Sequence, residues 1–501
     1  ALAGDAITTG SYNTGVGSGA LGATTTATFN TAIGRHALTA NTTGGSNVAV
    51  GGQSLDANTS GGNNTAVGTS SLGANTTGAS NTAVGQAALA GNTTGAANTA
   101  VGATALDANT TGQYNTGLGF DALGANTTGS NNTAVGLNAL ETNTTASNNT
   151  AVGMDALALT TTGDENTAVG QAALDANTTG SDNAGFGHRA LSGNTTGAGN
   201  TAIGNDTLLV NTTADFNVAV GFGAMAANTT GDRNVAVGVS ALDANTTSDG
   251  NTAVGFQSLT TNITSELNTA VGFHSLRLNT AANNTAVGGT ALDVNSSGAN
   301  NTAVGMAALA ANTTGASNTA VGALALDAVT TGSTNTAVGK SALSTGTTGA
   351  NNTAVGASAG FGITSGAGNV AMGHDAGVAI TTGGSNVCIG RLSAGITTGG
   401  NNVCVGISAG DTLTTGGGNV IIGNTARPSA AGGANQIAIG EVATCVGNNN
   451  FTFGNQGTDS NIAFGATEIT APSDIRLKED VQDEEVGLDF INDLRPVTFL
   501  W

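Results

Sequence analysis

The sequence predicts an all-β protein, a repetitive parallel β-solenoid of the β-roll or β-helix kind built from 17-residue coils. Three observations carry this. A glycine closes the motif N-[TV]-[AG]-[VIL]-G every 17 residues from Gly17 to Gly272, with Ala184 and Phe186 as variants, and the series runs on to Gly440 with one-residue deletions before Gly288 and Gly406, making 26 coils. The apolar runs are short and rich in β-branched Thr and Val, and helical periodicity is absent. One unit, such as NTAVGTSSLGANTTGAS from Asn64 to Ser80, cannot bury an apolar face alone and must stack on its neighbours.

Each part of the coil has an expected task. Val67 and Leu72 are five residues apart, an odd offset, so Gly68 between them is read as a corner that lets both enter one thin core from two facing strands. Val67, Leu72, Leu89 and Leu106 are therefore the expected core. The NTTG segment, Asn75 to Gly78, is expected to supply the second turn, with Asn and Gly suited to positive φ. Its match to the N-glycosylation sequon is explained more simply by turn chemistry. The asparagine that opens each coil recurs 25 times in succession, from Asn13 to Asn419. Equivalent residues stack about 4.8 Å apart in a parallel solenoid, so Asn64, Asn81, Asn98 and Asn115 are read as rungs of an amide ladder rather than as a ligand site.

Acidic residues at one equivalent position, Asp56, Asp107, Glu141, Asp175, Asp243, Asp293 and Asp327, never fall on adjacent coils. Stacked like charges repel, so this spacing suits a solvated face and not a calcium roll. Each coil holds few large apolar side chains, and the motif's third position is Ala or Cys, as in NTAVG and NVCIG. That small-residue face is where other chains are expected to approach, and an oligomer follows. Cys388 and Cys404 are read as small core or interface residues.

Composition narrows the function classes. Net charge is -21, from 10 basic and 31 acidic residues, which argues against phosphate-neutralising nucleic-acid binding and against docking on anionic membrane. No apolar run approaches a membrane span of about 20 residues, so no membrane insertion is expected. The N-terminus ALAGD lacks a methionine and a signal-peptide pattern and reads as a processed product or an excerpt. Three cysteines without CxxC spacing, and His36, His188, His274 and His374 many coils apart, suggest no metal and no cofactor.

The chain divides into a solenoid shaft at 1–440, a transition at 441–471 and a C-terminal segment at 472–501. Near Asn352 the second half of the coil changes from ALxANTTG to SAGxxITTGG, so the same fold should continue with a different corner. Beyond Pro472 charge rises to 11 of 29 residues, and Val486, Phe490, Ile491 and Leu494 mark a short amphipathic helix before the strand-like VTFLW, a short α/β segment. Taken by spacing, Pro472 and Ser473 can open a helix as N-cap residues with Lys478, one of only two lysines, on its solvated side.

SDIRLKEDV followed by LDFINDLRPVTFLW resembles the opening of the intramolecular chaperone domain at the C-terminus of phage tail fibres, endosialidase tailspikes and some bacterial surface fibres. The repeats are also similar to the heads of trimeric autotransporter adhesins. The resemblance covers about 30 residues for the chaperone, which is incomplete here, and residues 13 to 440 for the adhesin heads. It implies a homotrimer whose chaperone registers three chains and then cuts itself off, with Ser473 as nucleophile, Lys478 as its general base and scission after Pro472. A lysine with a pKa lowered by burial can take the proton of an otherwise weak serine nucleophile.

The expectation is a non-enzymatic structural part of an extracellular trimeric fibre, on a virion tail or cell surface, apart from one self-cleavage per chain. At about 4.8 Å per coil the shaft would span roughly 125 Å and project a tip toward a host or surface receptor, a glycan among the candidates. Two alternatives are an ice-binding solenoid, which needs flat threonine arrays, and a glycan-degrading one, which needs convergent carboxylates.

Overall fold

A computed structural model describes residues 3–346, 348–455 and 458–466. They fall in two compact units, Ala1–Ser365 and Gly366–Trp501. Within a coil, positions are counted from the opening asparagine, so that Asn64 is position 1 and Ser80 position 17.

In the first unit every coil contributes one three-residue strand at positions 2 to 4, from β1 (Thr14–Val16) to β21 (Thr353–Val355). From β2 to β21, each strand pairs in parallel and in register with its equivalent on the preceding coil. Between β4 (Thr65–Val67) and β5 (Thr82–Val84) the partners are Thr65 with Thr82, Ala66 with Ala83 and Val67 with Val84. The chain is thus a parallel β-solenoid, as its period requires, and the described residues contain no helix.

Among the described residues these coils have no second facing strand, which corrects the expectation. A stack of turns forms the opposite wall, and its amides still reach the neighbouring coil: Leu72 N–H donates to the Ala88 carbonyl, Ala74 to Ala90 and Thr76 to Thr93, each at 2.9 Å. Coil-to-coil bonding satisfies the backbone without extended geometry. Gly68 does hold the corner, at φ +137°, and a Cβ there would run into the Gly85 carbonyl. Positive φ elsewhere lies at Ser70 (58°), Leu72 (51°) and Ser80 (63°), not at Asn75 or Gly78. Gly78 is needed for close approach instead, because a Cβ would strike both Asn75 Oδ1 and the Gly95 carbonyl. A left-handed leucine costs about 1–2 kcal/mol. Here that conformation folds the turn back, so positions 8 and 9, Ser71 and Leu72, both point inward and are fully buried.

That turn decides what the strand can bury. Leu72, Leu89 and Leu106 fill the core from the turn side, leaving room for only one small side chain opposite, and Ala66 takes it at 0% exposure. Val67 is therefore not a core residue; it faces outward, 37% exposed. The small third position is accordingly interior and cannot be the face that other chains approach.

In the second unit the strands begin at β22 (Val370–Met372) and run in parallel to β26 (Gln436–Ile439) and β27 (Asn450–Phe453). β28 (Ser460–Ala463) then pairs antiparallel with β27, pairing one edge of this stack. Phe451 and Phe453 pack with ring centroids 5.2 Å apart.

Candidate functional site

The opening asparagines Asn64, Asn81, Asn98 and Asn115 come together as a buried column. It carries the expected side-chain bonds, Asn81 Nδ2 donating to Asn64 Oδ1 and Asn98 Nδ2 to Asn81 Oδ1 at 3.2 Å, and backbone bonds besides. Each Oδ1 accepts the backbone N–H of the next asparagine, Asn81 to Asn64 and Asn98 to Asn81 both at 2.9 Å, while Asn81 Nδ2 donates to the Gly95 carbonyl at 2.9 Å. The purely side-chain ladder is a second column at position 12, made by the asparagine of NTT. Asn75 Nδ2 donates to Asn58 Oδ1 at 2.8 Å and to its own Gly78 carbonyl at 3.0 Å, and Asn92 repeats this on Asn75 at 2.9 Å. These asparagines are fully buried, which shields them from glycosylation in the folded coil. Sequence reasoning missed this column although its signal, a second asparagine with the same period, was present.

Unpartnered amide oxygens mark the ends of the second ladder. Asn143 Oδ1 has no partner where Thr160 stands in place of the next asparagine, and Asn312 Oδ1 has none where Val329 follows. Asn262 Oδ1 is orphaned by the 16-residue coil, in which Asn279 donates to the Ala281 carbonyl instead. Past Val329, Gly346 carries no side chain at position 12, and a small cavity of about 10 Å³ lies against Leu326, Leu343 and Ile363.

Outside, positions 2 and 4 of every strand share one face. Position 4 forms a column of exposed apolar side chains, among them Val67, Val84, Leu118 and Ile203. Position 6, beyond the corner glycine, adds two exposed apolar runs in the first unit, Phe120, Leu137 and Met154 on consecutive coils and Phe222, Val239, Phe256 and Phe273 on four. Phe256 and Phe273 stack at 5.7 Å.

The acidic column is less solvated than its spacing suggests. Asp56, Asp107, Asp175 and Asp243 are half-buried in the turn stack, and burial raises each carboxyl above its ordinary pKa. Backbone amides of the same turn offset this in part, and nearby Asp121 adds to it for Asp107. Asp175 and Asp243 each hold one buried oxygen, Oδ1, without a partner. Asp293 instead pairs with Arg277 at 2.8 Å, and Asp327 accepts from the Ser344 hydroxyl at 2.6 Å.

Cys388 and Cys404 occupy position 3 on adjacent coils as free, buried core thiols. Burial raises both, Cys404 to about 12, so neither is a thiolate near neutral pH. No group of three His, Cys, Asp or Glu suited to a metal occurs among the described residues, and they contain no helix long and apolar enough to cross a membrane. Ser473 and Lys478, with Pro472 and the segment at 486–494, lie outside the described residues. Comparison with known proteins finds no matching family model, no similar curated protein and no similar solved structure.

Proposed function

We propose that the chain is a structural component of an extracellular trimeric fibre, a phage tail fibre or bacterial surface fibre, that projects a binding tip for attachment. In this reading residues 472–501 assist trimer assembly and cleave the chain before Ser473, with Lys478 as base. The observation that supports it is the outward column at position 4. Monomeric soluble proteins rarely leave long continuous apolar patches in water. A second copy, carrying the same side chains at the same period, is the partner that matches such a column rung for rung. Two experiments test the reading on the full-length product. Sedimentation should give three chains, and replacing the apolar residues at position 4 of several consecutive coils with Lys should release monomers. Intact mass should end at Pro472 for the wild type and stay long for Ser473→Ala. A monomeric wild type, or equal masses, would reject the corresponding half.

One observation favours ice binding as a second reading. Thr65 and Val67 lie side by side on an outward sheet face and the pair repeats in register on most coils of the first unit, with Val48, Ala184, Val218 and Val235 in place of the threonine, and Thr77, Thr94 and Thr111 form a further exposed column. Thermal hysteresis in a freezing assay would establish it, and its absence would remove it.

A further inference from the structure

The interior column at position 3 holds Gly, Ala or Ile on every coil from Asn13 to Gln436 except two, which carry Cys388 and Cys404. Strands β23 (Val387–Ile389) and β24 (Val403–Val405) pair in parallel with Cys388 directly opposite Cys404, and both side chains are fully buried. Equivalent residues of neighbouring parallel strands lie about 4.8 Å apart, inside the span of about 4.4–6.8 Å between Cα atoms that a disulfide bridges. Ala371 precedes the pair in the column and Ile421 follows it, so each thiol has the other as its neighbour of like chemistry. Cys445, the third thiol, lies two coils on and on the turn side, against Thr452.

Packing alone does not select these two residues. Position 9 is small on both coils, Ala394 and Gly410, and a Cβ on Gly410 would come within 2.7 Å of Cys404 Sγ. Gly360 and Gly377 leave position 9 just as empty on the two coils before, yet Ala354 and Ala371 remain at position 3. The cysteines differ from those alanines in bracketing a shortened coil. Cys404 follows Cys388 by 16 residues, and the residue missing from the 17-residue period is lost between them.

We propose that Cys388 and Cys404 form a disulfide as the chain winds in an oxidising medium, stapling the shortened coil to the next, and that burial then preserves whichever state the coil closed with. The oxidant is a small-molecule disulfide. The thiolate of one cysteine attacks it and releases one of its sulfurs as thiolate; the second cysteine attacks the mixed disulfide so formed and releases the other. The two protein thiols lose two protons and two electrons and become one S–S bond, while the oxidant takes these up and leaves as two thiols. Attack needs an exposed thiolate, and the folded core denies both conditions: solvent reaches neither residue, and burial keeps both thiols protonated near neutral pH. Oxidation is therefore confined to the chain before these coils close. The inference is independent of the fibre reading and of chain number.

The test is cell-free synthesis of the whole chain on two schedules. Oxidised glutathione is either present throughout, or added only after the chain has folded in dithiothreitol and that reductant has been removed. The protein is then denatured, its thiols are counted by alkylation and its peptides are mapped by mass. The first schedule should leave one free thiol of three and a peptide that links Cys388 to Cys404; the second should leave all three free. Hydrogen exchange across residues 389–403 should be slower by at least about tenfold in the linked protein. Cys388→Ala and Cys404→Ala, which restore the residue usual at position 3, should each abolish the link and the slowing. Three free thiols in folded protein from the first schedule, a link to Cys445 or between chains, equal oxidation on both schedules, or unchanged exchange in the linked protein would overturn the proposal.

Discussion

The coils around Leu72 and those around Ile380 keep the same opening asparagine and corner glycine but fill their cores from different places. In the first kind, leucine at position 9 enters from a residue at φ 51° and asparagine at position 12 joins a ladder. In the second, position 9 is Gly377 at φ 59° and position 12 is Ile380, fully buried. Gly410 with Leu413 repeats the exchange. The left-handed turn therefore belongs to the coil and not to leucine. One kind accepts backbone strain and keeps a polar column; the other relieves the strain and gives the column up.

If the two kinds are alternative fillings of one space, converting one to the other must be a paired change. Leu123→Gly alone should destabilise its coil by about 4 kcal/mol, from the cavity and lost burial. Adding Asn126→Ile should recover more than 1 kcal/mol of that as coupling in a double-mutant cycle. Additive effects would show that the two coil types are not interchangeable. Hydrogen exchange at flanking amides is the suitable readout, because a long repeat array does not unfold as one unit.

Asn109→Ala should cost about 2 kcal/mol, since it leaves Asn92 Oδ1 without its 2.7 Å donor and Asn126 Nδ2 without its 2.8 Å acceptor. The same exchange measurement on Ile380→Val should show about 1 kcal/mol, a pure packing loss with no polar component. Thr160→Asn runs the comparison in reverse. It restores a rung between Asn143 and Asn177 and should stabilise by about 1 kcal/mol; a loss would mean that the threonine is packed for a reason other than the ladder.

The smallest effect is electrostatic. Asp175 has its pKa raised by burial, so its contribution to stability is full below the unfolded value near 4 and is lost as pH rises through the folded value. Asp175→Asn should therefore stabilise slightly at pH 7, and the difference from wild type should vanish on acidification. A gap that widens toward low pH would contradict the burial argument.

Much of this was legible in the residues, and the exceptions have a common cause. The period, the parallel stacking, the opening asparagine column and the burial of Cys388 and Cys404 all follow from repetition. The inward and outward faces of T-A-V did not, because three residues are too few for alternation to declare itself and Val67 is the more apolar choice. Leu72 settles it from across the core by leaving space for a single methyl. The glycine of NTTG was likewise ambiguous, since a need for positive φ and a need for close approach select the same residue. The chemistry proposed for Ser473 and Lys478 draws on their resemblance alone.

The asparagine columns also make length a discrete quantity. Within an unbroken run each rung bonds to the equivalent atoms of its neighbours, so a junction created there by duplicating or deleting one whole 17-residue coil is chemically the same as any other. Among changes of coil length, a fractional one leaves a trace, as the shortened coil does at Asn262. A gene encoding this chain can therefore lengthen or shorten its product one coil at a time, with no compensating substitution at the seam.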